Sequence, residues 1–425
     1  MHTAPTGPGE APFPYAIRKP ASDAELRDFL APIPPAFGEE YPDAELEADR
    51  NTLELDRIVA AFDGDRSVGC AGAFSFRLTV PGGEVDAAGV TIVAVLPSHR
   101  RRGILRALMR QQLDEIRERG EPLAILWASE GAIYQRFGYG LASLQSSFDI
   151  EQSRSAYARP FELAGQVRLV TSEEAARVFP GLYEGVRRAT PGFLTRSEAW
   201  WHWNVLRDSE YLRRGAGPKM LALHEVDGRP EGYAIYRLKP DWDSRGPKGE
   251  LIVREVLATT ARSELELWRW LLDTDLVARV RTMLSTPQHP LLLALAEPRR
   301  LGLTLGDGLW VRLVDLPAAL GARSYAAAGR LVLEVRDSFC PWNEGRWVLK
   351  VDADGDGRFG ATVVRTEEAP DLTLDAADLG AVYLGGFRFD DLVRVGRTQE
   401  QRPGAVVHAD RLFAVDRTPY CSTMF

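Results

Sequence analysis

The sequence predicts a mixed α/β (α+β) chain built as three consecutive units. Three observations lead there. Residues 90–127 read as an apolar strand, an arginine-rich turn, an amphipathic helix and a second apolar strand. The same plan of strand, turn and helix returns in weaker form at residues 251–272. Beyond residue 306 the pattern changes to short, partly alternating strands with small helices. The expected units are 1–155, 156–305 and 306–425.

Composition narrows the class. A chain of 425 residues can bury several full cores, and 45% hydrophobic with 26% charged residues is the balance of a water-soluble globular protein. No apolar run reaches membrane-spanning length. The first fifteen residues lack the basic and apolar regions of a signal peptide and read as a Pro/Gly leader. Cys70, Cys340 and Cys421 are odd in number and far apart, which fits neither a disulfide framework nor a metal site. A reducing cytoplasm, no metal and no membrane association are therefore expected. Net charge is −8, and arginine carries nearly all the positive charge, with five lysines among 52 basic residues. No basic stripe exists, so nucleic acid is a poor partner. An acidic surface instead favours cationic small molecules or basic peptides.

Taken in order, Ser22 or Asp23 can cap a helix that carries Leu26, Phe29 and Leu30. Glu39, Glu40, Asp43, Glu45 and Glu47 then cluster, with Phe37 and Tyr41 among them. They read either as a solvated helix face or as a wall that holds a polycation. Residues 57–62 and 68–78 form a hairpin about Asp63-Gly64. The strand 90–96 follows and ends at Pro97-Ser98. Arg100, Arg101, Arg102 and Gly103 make the turn. Ile104, Leu105, Leu108, Met109, Leu113 and Ile116 recur at helical spacing, and Gly120 stops the helix. Strands 123–127 and 146–150 close the first unit.

The turn has a physical use. A helix's first N–H groups lack partners and sit at the positive end of its dipole. A glycine lets a ligand approach the backbone, and guanidinium groups add forked donors. Together these make a pyrophosphate site.

In the second unit, 221–226 and 232–238 form a hairpin, 251–258 a strand and 262–272 a helix. Its turn, Thr259-Thr260-Ala261-Arg262, has no glycine and no arginine cluster, so it cannot repeat the cradle. Trp200, Trp203 and Leu206 share a helical face and read as packing, with His202 packed or hydrogen-bonded beside them. In the third unit, residues 352–357 imitate a calcium loop, but Val363 stands where the bidentate glutamate belongs, so a hairpin turn is expected. Residues 372–374 form a strand and 375–384 a helix. The chain ends in an apolar, aromatic stretch at Phe425. Its buried end is either a docked tail or a carboxylate with a chemical role.

The string VAVLPSHRRRGILRALM followed by ASEGAIYQRFGYG resembles the enhanced intracellular survival (Eis) branch of the GCN5-related N-acetyltransferases (GNAT). The superfamily motif, Arg/Gln-x-x-Gly-x-Gly/Ala, is matched by Arg100 to Leu105, with Leu105 in place of a small residue as in that branch. The resemblance implies two tandem acetyltransferase-like domains, the second degenerate, and a sterol-carrier-protein-like α+β domain whose C-terminus reaches the active site. It implies acetyl-CoA as cosubstrate. The backbone of Val93, Ala94 and Val95 would hold the pantetheine arm. Arg101, Arg102, Ile104, Leu105 and Arg106 would cradle the pyrophosphate, Arg100 and Gly103 would shape the turn, and Ser129 and Glu130 would complete the site. Tyr134, on residue type alone either a core aromatic or a catalytic group, would by resemblance protonate the departing thiolate. The Phe425 carboxylate would accept the amine's proton. Phe37, Glu40 and Tyr41 would line the acceptor pocket. The implied acceptor is a primary amine of a cationic molecule, an aminoglycoside-type antibiotic or a lysine side chain, and the implied assembly is a homohexamer. A non-catalytic, lipid-binding scaffold is the reading from another class.

Overall fold

The computed structural model describes residues 13–353 and 358–425. Residues 1–12 of the expected leader, and 354–357 of the expected hairpin turn, lie outside the described residues.

The first sheet has seven strands, in the order Ala16–Arg18, Val59–Asp63, Arg66–Val80, Gly83–Val95, Leu123–Trp127, Leu309–Leu313 and Gly140–Leu141. The helix Ile104–Glu118 buries Ile104, Leu108, Met109, Leu113 and Ile116 of the apolar positions its spacing marks, while Leu105 is half-buried. It returns the chain to Leu123–Trp127, which runs parallel to Gly83–Val95. That parallel pairing extends only from Ala87↔Leu123 to Gly89↔Ile125. A bulge causes the parting. Cys70 pairs with Ala94 but Gly72 pairs with Thr91, and Ile92 is left at φ 49°. An extra residue bends its strand away from the neighbour. Residues 90–95 therefore present an unpaired edge toward Leu123–Trp127.

The second sheet also has seven strands, in the order Thr304–Asp307, Leu144–Glu151, Val277–Ser285, Gly249–Ala258, Arg229–Lys239, Lys219–Val226 and Gln166–Leu169. Successive side chains on a strand face opposite ways. Accordingly Ala234 joins the core of Leu267 and Trp268 on the helix Ala261–Leu272, while Tyr233 joins that of Phe179 and Tyr183 on the helix Ser172–Arg187. One helix covers each face.

The sheets do not divide where the sequence reading places its boundaries. Leu144–Glu151, expected to close the first unit, pairs with Val277–Ser285 in the second sheet. Leu309–Leu313, from the expected third unit, pairs with Leu123–Trp127 in the first. Apolar alternation marks a strand but not its distant partner, so the pattern carries no sign of this exchange.

The third sheet has the order Phe359–Arg365, Gly345–Ala353, Gly329–Arg336, Leu372–Asp375 and Gln399–Glu400. Gly345–Ala353 and Phe359–Arg365 pair antiparallel on either side of the acidic loop. The helix Ala376–Val382 docks this sheet on the first through two glycines. A Cβ on Gly140 would strike the Ala377 carbonyl, and one on Gly380 the Val311 carbonyl.

The tryptophan stretch differs from expectation in phase. A wide turn of π-helix spans Trp201–Leu206. Trp200 and Trp201 are buried, Trp203 is half-buried, and His202 is exposed. The wider turn advances each side chain by less than a normal helix, which rotates His202 out of the core.

Candidate active site

A cavity of about 890 Å³ opens where Gly83–Val95 and Leu123–Trp127 part. Val93, Ala94 and Val95 form one wall. Arg100, Arg101, Gly103, Ile104, Leu105 and Arg106 form its end, and Ser129, Glu130 and Tyr134 the opposite wall.

The turn is built by two left-handed residues, Arg101 at φ 64° and Gly103 at φ 83°. Gly103 is the N-cap of Ile104–Glu118, and no side chain caps that helix. The first-turn N–H groups thus remain for a ligand. A Cβ on Gly103 would come no closer than 3.9 Å to the Phe13 ring, so conformation rather than crowding calls for glycine. Arg101 and Arg106 make no hydrogen bond or ion pair among the described residues, and both line the cavity. Arg100 donates to the Ala36 carbonyl at 3.4 Å. Arg102 does not join the cradle. It donates to the Tyr15 hydroxyl at 3.3 Å and lies outside the cavity lining.

Tyr134 ends the short helix Gly131–Tyr134 and is 6% exposed. Gly131 allows that helix to sit against the Trp310 ring, which a Cβ would meet at 2.9 Å. Burial raises the Tyr134 phenol pKa, the Glu130 charge adds to the rise, and the Ser129 hydroxyl opposes it. The phenol is therefore a neutral donor facing the cavity.

The C-terminus approaches the same region from the other side of the strand fork. Trp127 Nε1 donates to the Thr423 carbonyl at 3.0 Å. The Phe425 ring lies 5.1 Å from that of Phe76 and packs on Gly89, the last paired residue before the strands part. Phe425 is half-buried and is not among the cavity-lining residues.

The expected acceptor residues separate. Phe37 lines the cavity and is 49% exposed. Tyr41 instead donates to Asp49, and the Glu40 carbonyl accepts from the Tyr211 hydroxyl at 3.1 Å. Glu45 and Asp49 pair with Arg207 at 2.8 and 3.7 Å, so part of the acidic cluster ties the first sheet's helices to the second unit. Phe339 and Ser338 also line the cavity. They come from the third unit, more than 200 residues after the turn, and no local pattern marks them.

The residues fit an extended amide-bearing arm joined to a diphosphate. The unpaired edge of 90–95 can pair with the arm as an added strand, and the helix N-terminus with Arg101 and Arg106 can take the diphosphate. Among the described residues no group of three His, Cys, Asp or Glu is placed to hold a metal ion, and no helix is long and apolar enough to cross a membrane.

Comparison with known proteins identifies the domains and the family. Residues 17–142 and 192–313 each match the acetyltransferase (GNAT) domain, and residues 316–422 match the sterol carrier protein domain. An uncharacterized N-acetyltransferase of Streptomyces avermitilis is 44% identical over 378 residues, covering 88% of this chain and 91% of that protein. N-acetyltransferase Eis of Mycobacterium tuberculosis is 36% identical over 380 residues, covering 86% and 89%. The crystal structure of Eis1 from Mycobacterium abscessus superposes with a TM-score of 0.81 at 33% identity, covering 96% of this chain and all of that one. A GCN5-related N-acetyltransferase from Anabaena variabilis, 21% identical, shares the fold with a TM-score of 0.82 and covers 97% of this chain. Two GNAT domains followed by a sterol-carrier-protein domain are the architecture, and acetyl-CoA is the cosubstrate that this fold implies. The chain belongs to the Eis family of GCN5-related N-acetyltransferases and is an acetyl-transferring enzyme.

Proposed function

We propose that the enzyme acetylates a primary amine of a cationic acceptor, an aminoglycoside-type molecule, by direct attack with both substrates bound together. The observation that carries this reading is the sharing of one cavity by Tyr134, the arginine turn and the free strand edge. When bound, acetyl-CoA supplies the acetyl group as a thioester. The edge at Val93, Ala94 and Val95 aligns the arm that bears it, and a backbone N–H there polarises the carbonyl. Tyr134 donates its phenolic proton to the sulfur as the C–S bond breaks. A phenol, with an ordinary pKa of about 10, stays protonated at neutral pH. The amine's proton passes to the Phe425 carboxylate, directly or through one water. The packing of Phe425 on Gly89 supports that role by bringing the chain's end to the strand fork.

Phe37 contributes an exposed aromatic face to the acceptor side. A net charge of −8 favours arrival of a polycation. The homohexamer implied by the resemblance and the cytoplasmic location expected from the cysteines are part of the same proposal. A thiol-release assay with acetyl-CoA tests the acceptor, using aminoglycosides in one arm and lysine-bearing peptides in the other. Release with aminoglycosides at low concentration is expected. Release with lysine peptides alone would reassign the acceptor, and release with neither would overturn the reading.

A further inference from the structure

The second sheet contains a fork like the one in the first. Gly249–Ala258 and Val277–Ser285 run parallel and pair from Gly249↔Val277 to Val253↔Thr282. A bulge follows at once, since Ile235 pairs with Glu255 while Tyr236 pairs with Val253. The strands then part, as Gly83–Val95 and Leu123–Trp127 do, and a cavity of about 370 Å³ lies between them. That volume is within the range of small-molecule sites. The C-terminal tail forms one wall through Arg417, Tyr420 and Ser422.

Two buried N–H donors line this cavity, and neither makes an aligned hydrogen bond among the described residues. Trp268 is 3% exposed, and its indole N–H has no aligned acceptor, although the Glu264 carboxyl lies beside it. His289 is 2% exposed, with its ring edge-on to Trp268 at 4.8 Å and to Phe148 at 4.9 Å. The Leu291 N–H donates to His289 Nδ1 at 3.2 Å. In the neutral ring the proton then sits on Nε2, which becomes a donor. Burial pushes the His289 pKa down to about 3, so the ring is neutral at physiological pH. No acceptor reaches Nε2 among the described residues.

The site does not suit a phosphate. Thr260 accepts the Ser263 N–H and caps the helix Ala261–Leu272, which takes up a first-turn donor. Arg262 is turned onto Glu266 at 3.1 Å and the Glu162 carbonyl at 2.7 Å. The lining carries both signs, Glu255 and Glu264 against Arg254 and Arg417, and Glu255 is already paired with Arg196, so no cluster of positive charge is offered. The lining also offers an unpaired strand edge, which recognises amides by main-chain pairing, and the N–H groups of Trp268 and His289, which can donate to carbonyl oxygens.

We propose that this second cleft is a binding site for a short, neutral, extended molecule carrying secondary amides. That chemistry is shared by a phosphate-free pantetheine arm and by a short peptide. The test uses the full-length protein with its first site saturated by coenzyme A. Pantetheine and N-acetyl-dialanine methylamide are titrated separately by calorimetry. Saturable one-to-one uptake of at least one probe is expected, and which probe is taken up identifies the source. His289→Phe keeps a flat aromatic ring, slightly larger, but removes both nitrogens, and should weaken uptake at least tenfold. His289→Gln can accept from Leu291 and still donate, and should retain it. Coenzyme A affinity should be unchanged in both variants, which reports that they fold. If His289→Phe does not fold, Trp268→Phe, which removes the indole donor and leaves a smaller ring, should give the same loss. Absence of uptake of both probes by the wild type, or undiminished uptake by the folded donor-deleted variants, would overturn the proposal.

Discussion

Arg196 Nε donates to the Thr423 hydroxyl at 3.0 Å, two residues from the C-terminus, while its other nitrogens fork onto Glu255 at 2.9 and 2.7 Å. The Arg196 and Glu255 side chains are nearly buried, and Tyr233 donates a further bond to Glu255 at 2.8 Å. Tyr183 shares the Thr423 hydroxyl at 3.2 Å. Arg196 is thus a positioning residue. It fixes the tail that ends in the Phe425 carboxylate. Thr423→Val should cost about 1.5–3 kcal/mol of stability, the worth of a hydrogen bond to a charged group. It should lower kcat while leaving acetyl-CoA affinity unchanged. Extending the chain beyond Phe425 should abolish turnover with little change in Tm. Denaturation curves and steady-state kinetics check both, and full activity of the extended form would count against the terminal carboxylate.

Tyr134→Phe removes one oxygen from a buried ring and should leave the fold intact. If the phenol protonates the leaving sulfur, kcat should fall by about 10²–10⁴, the usual worth of a general acid. Because burial raises the Tyr134 pKa above its ordinary 10.0, its deprotonation should not limit turnover anywhere below pH 10. A pH–rate profile of the wild type and titration of the variant with acetyl-CoA separate the proton-donating role from binding.

Arg101 and Arg102 in the turn and Arg106 in the helix after it should behave differently. Arg101 and Arg106 line the cavity, and each charge-assisted contact to a diphosphate is worth about 1.5–3 kcal/mol. Arg101→Ala and Arg106→Ala should each weaken acetyl-CoA binding about tenfold or more. Arg102→Ala should change it little, because Arg102 bonds to Tyr15. Equal losses in all three variants would show that Arg101, Arg102 and Arg106 act as a diffuse charge.

Much of this site was legible because its signals are local. Arg100 to Gly103, the periodic apolar face from Ile104 to Ile116 and the hairpin about Gly64 each declare themselves within a few residues. The hidden features depend on distant partners. The exchange of Leu144–Glu151 and Leu309–Leu313 between sheets depends on which strands meet, and both segments read simply as strands. The orientation of Arg102 depends on Tyr15, which the sequence reading assigns to the leader. The acidic cluster was visible, but its pairing with Arg207 could not be read from residues 39–47. Ile92 at φ 49° opens the fork, and a β-branched residue gives no hint of a left-handed position.

Glu266 makes the second sheet's stability depend on acid. Burial would raise its pKa, but hydrogen bonds from the Ala164 and Gly165 N–H groups, His224 and Arg262 outweigh that and hold it at about 2, below the ordinary 4.5. A depressed carboxylate contributes stability that is complete above its unfolded pKa and lost as pH falls through the folded one. Urea midpoints should therefore drop between pH 4.5 and 2. Glu266→Gln should be less stable at neutral pH and should show a shallower decline over that window.

The docking of the third sheet rests on close backbone approach. Gly380→Ala places a methyl group against the Val311 carbonyl, and Gly140→Ala one against the Ala377 carbonyl. Overpacking of this kind costs about 1–3 kcal/mol. Thermal unfolding should show that loss in each variant, and an undiminished Tm would mean that the interface has slack.

The most direct measurement is a crystal structure of the protein with coenzyme A. The diphosphate should lie on the N–H groups that begin Ile104–Glu118, between Arg101 and Arg106. The pantetheine arm should run along Val93 to Val95, with its sulfur within reach of the Tyr134 hydroxyl. Coenzyme A bound elsewhere, with its sulfur remote from Tyr134, would rule out Tyr134 as the proton donor and the arginine turn as the diphosphate site.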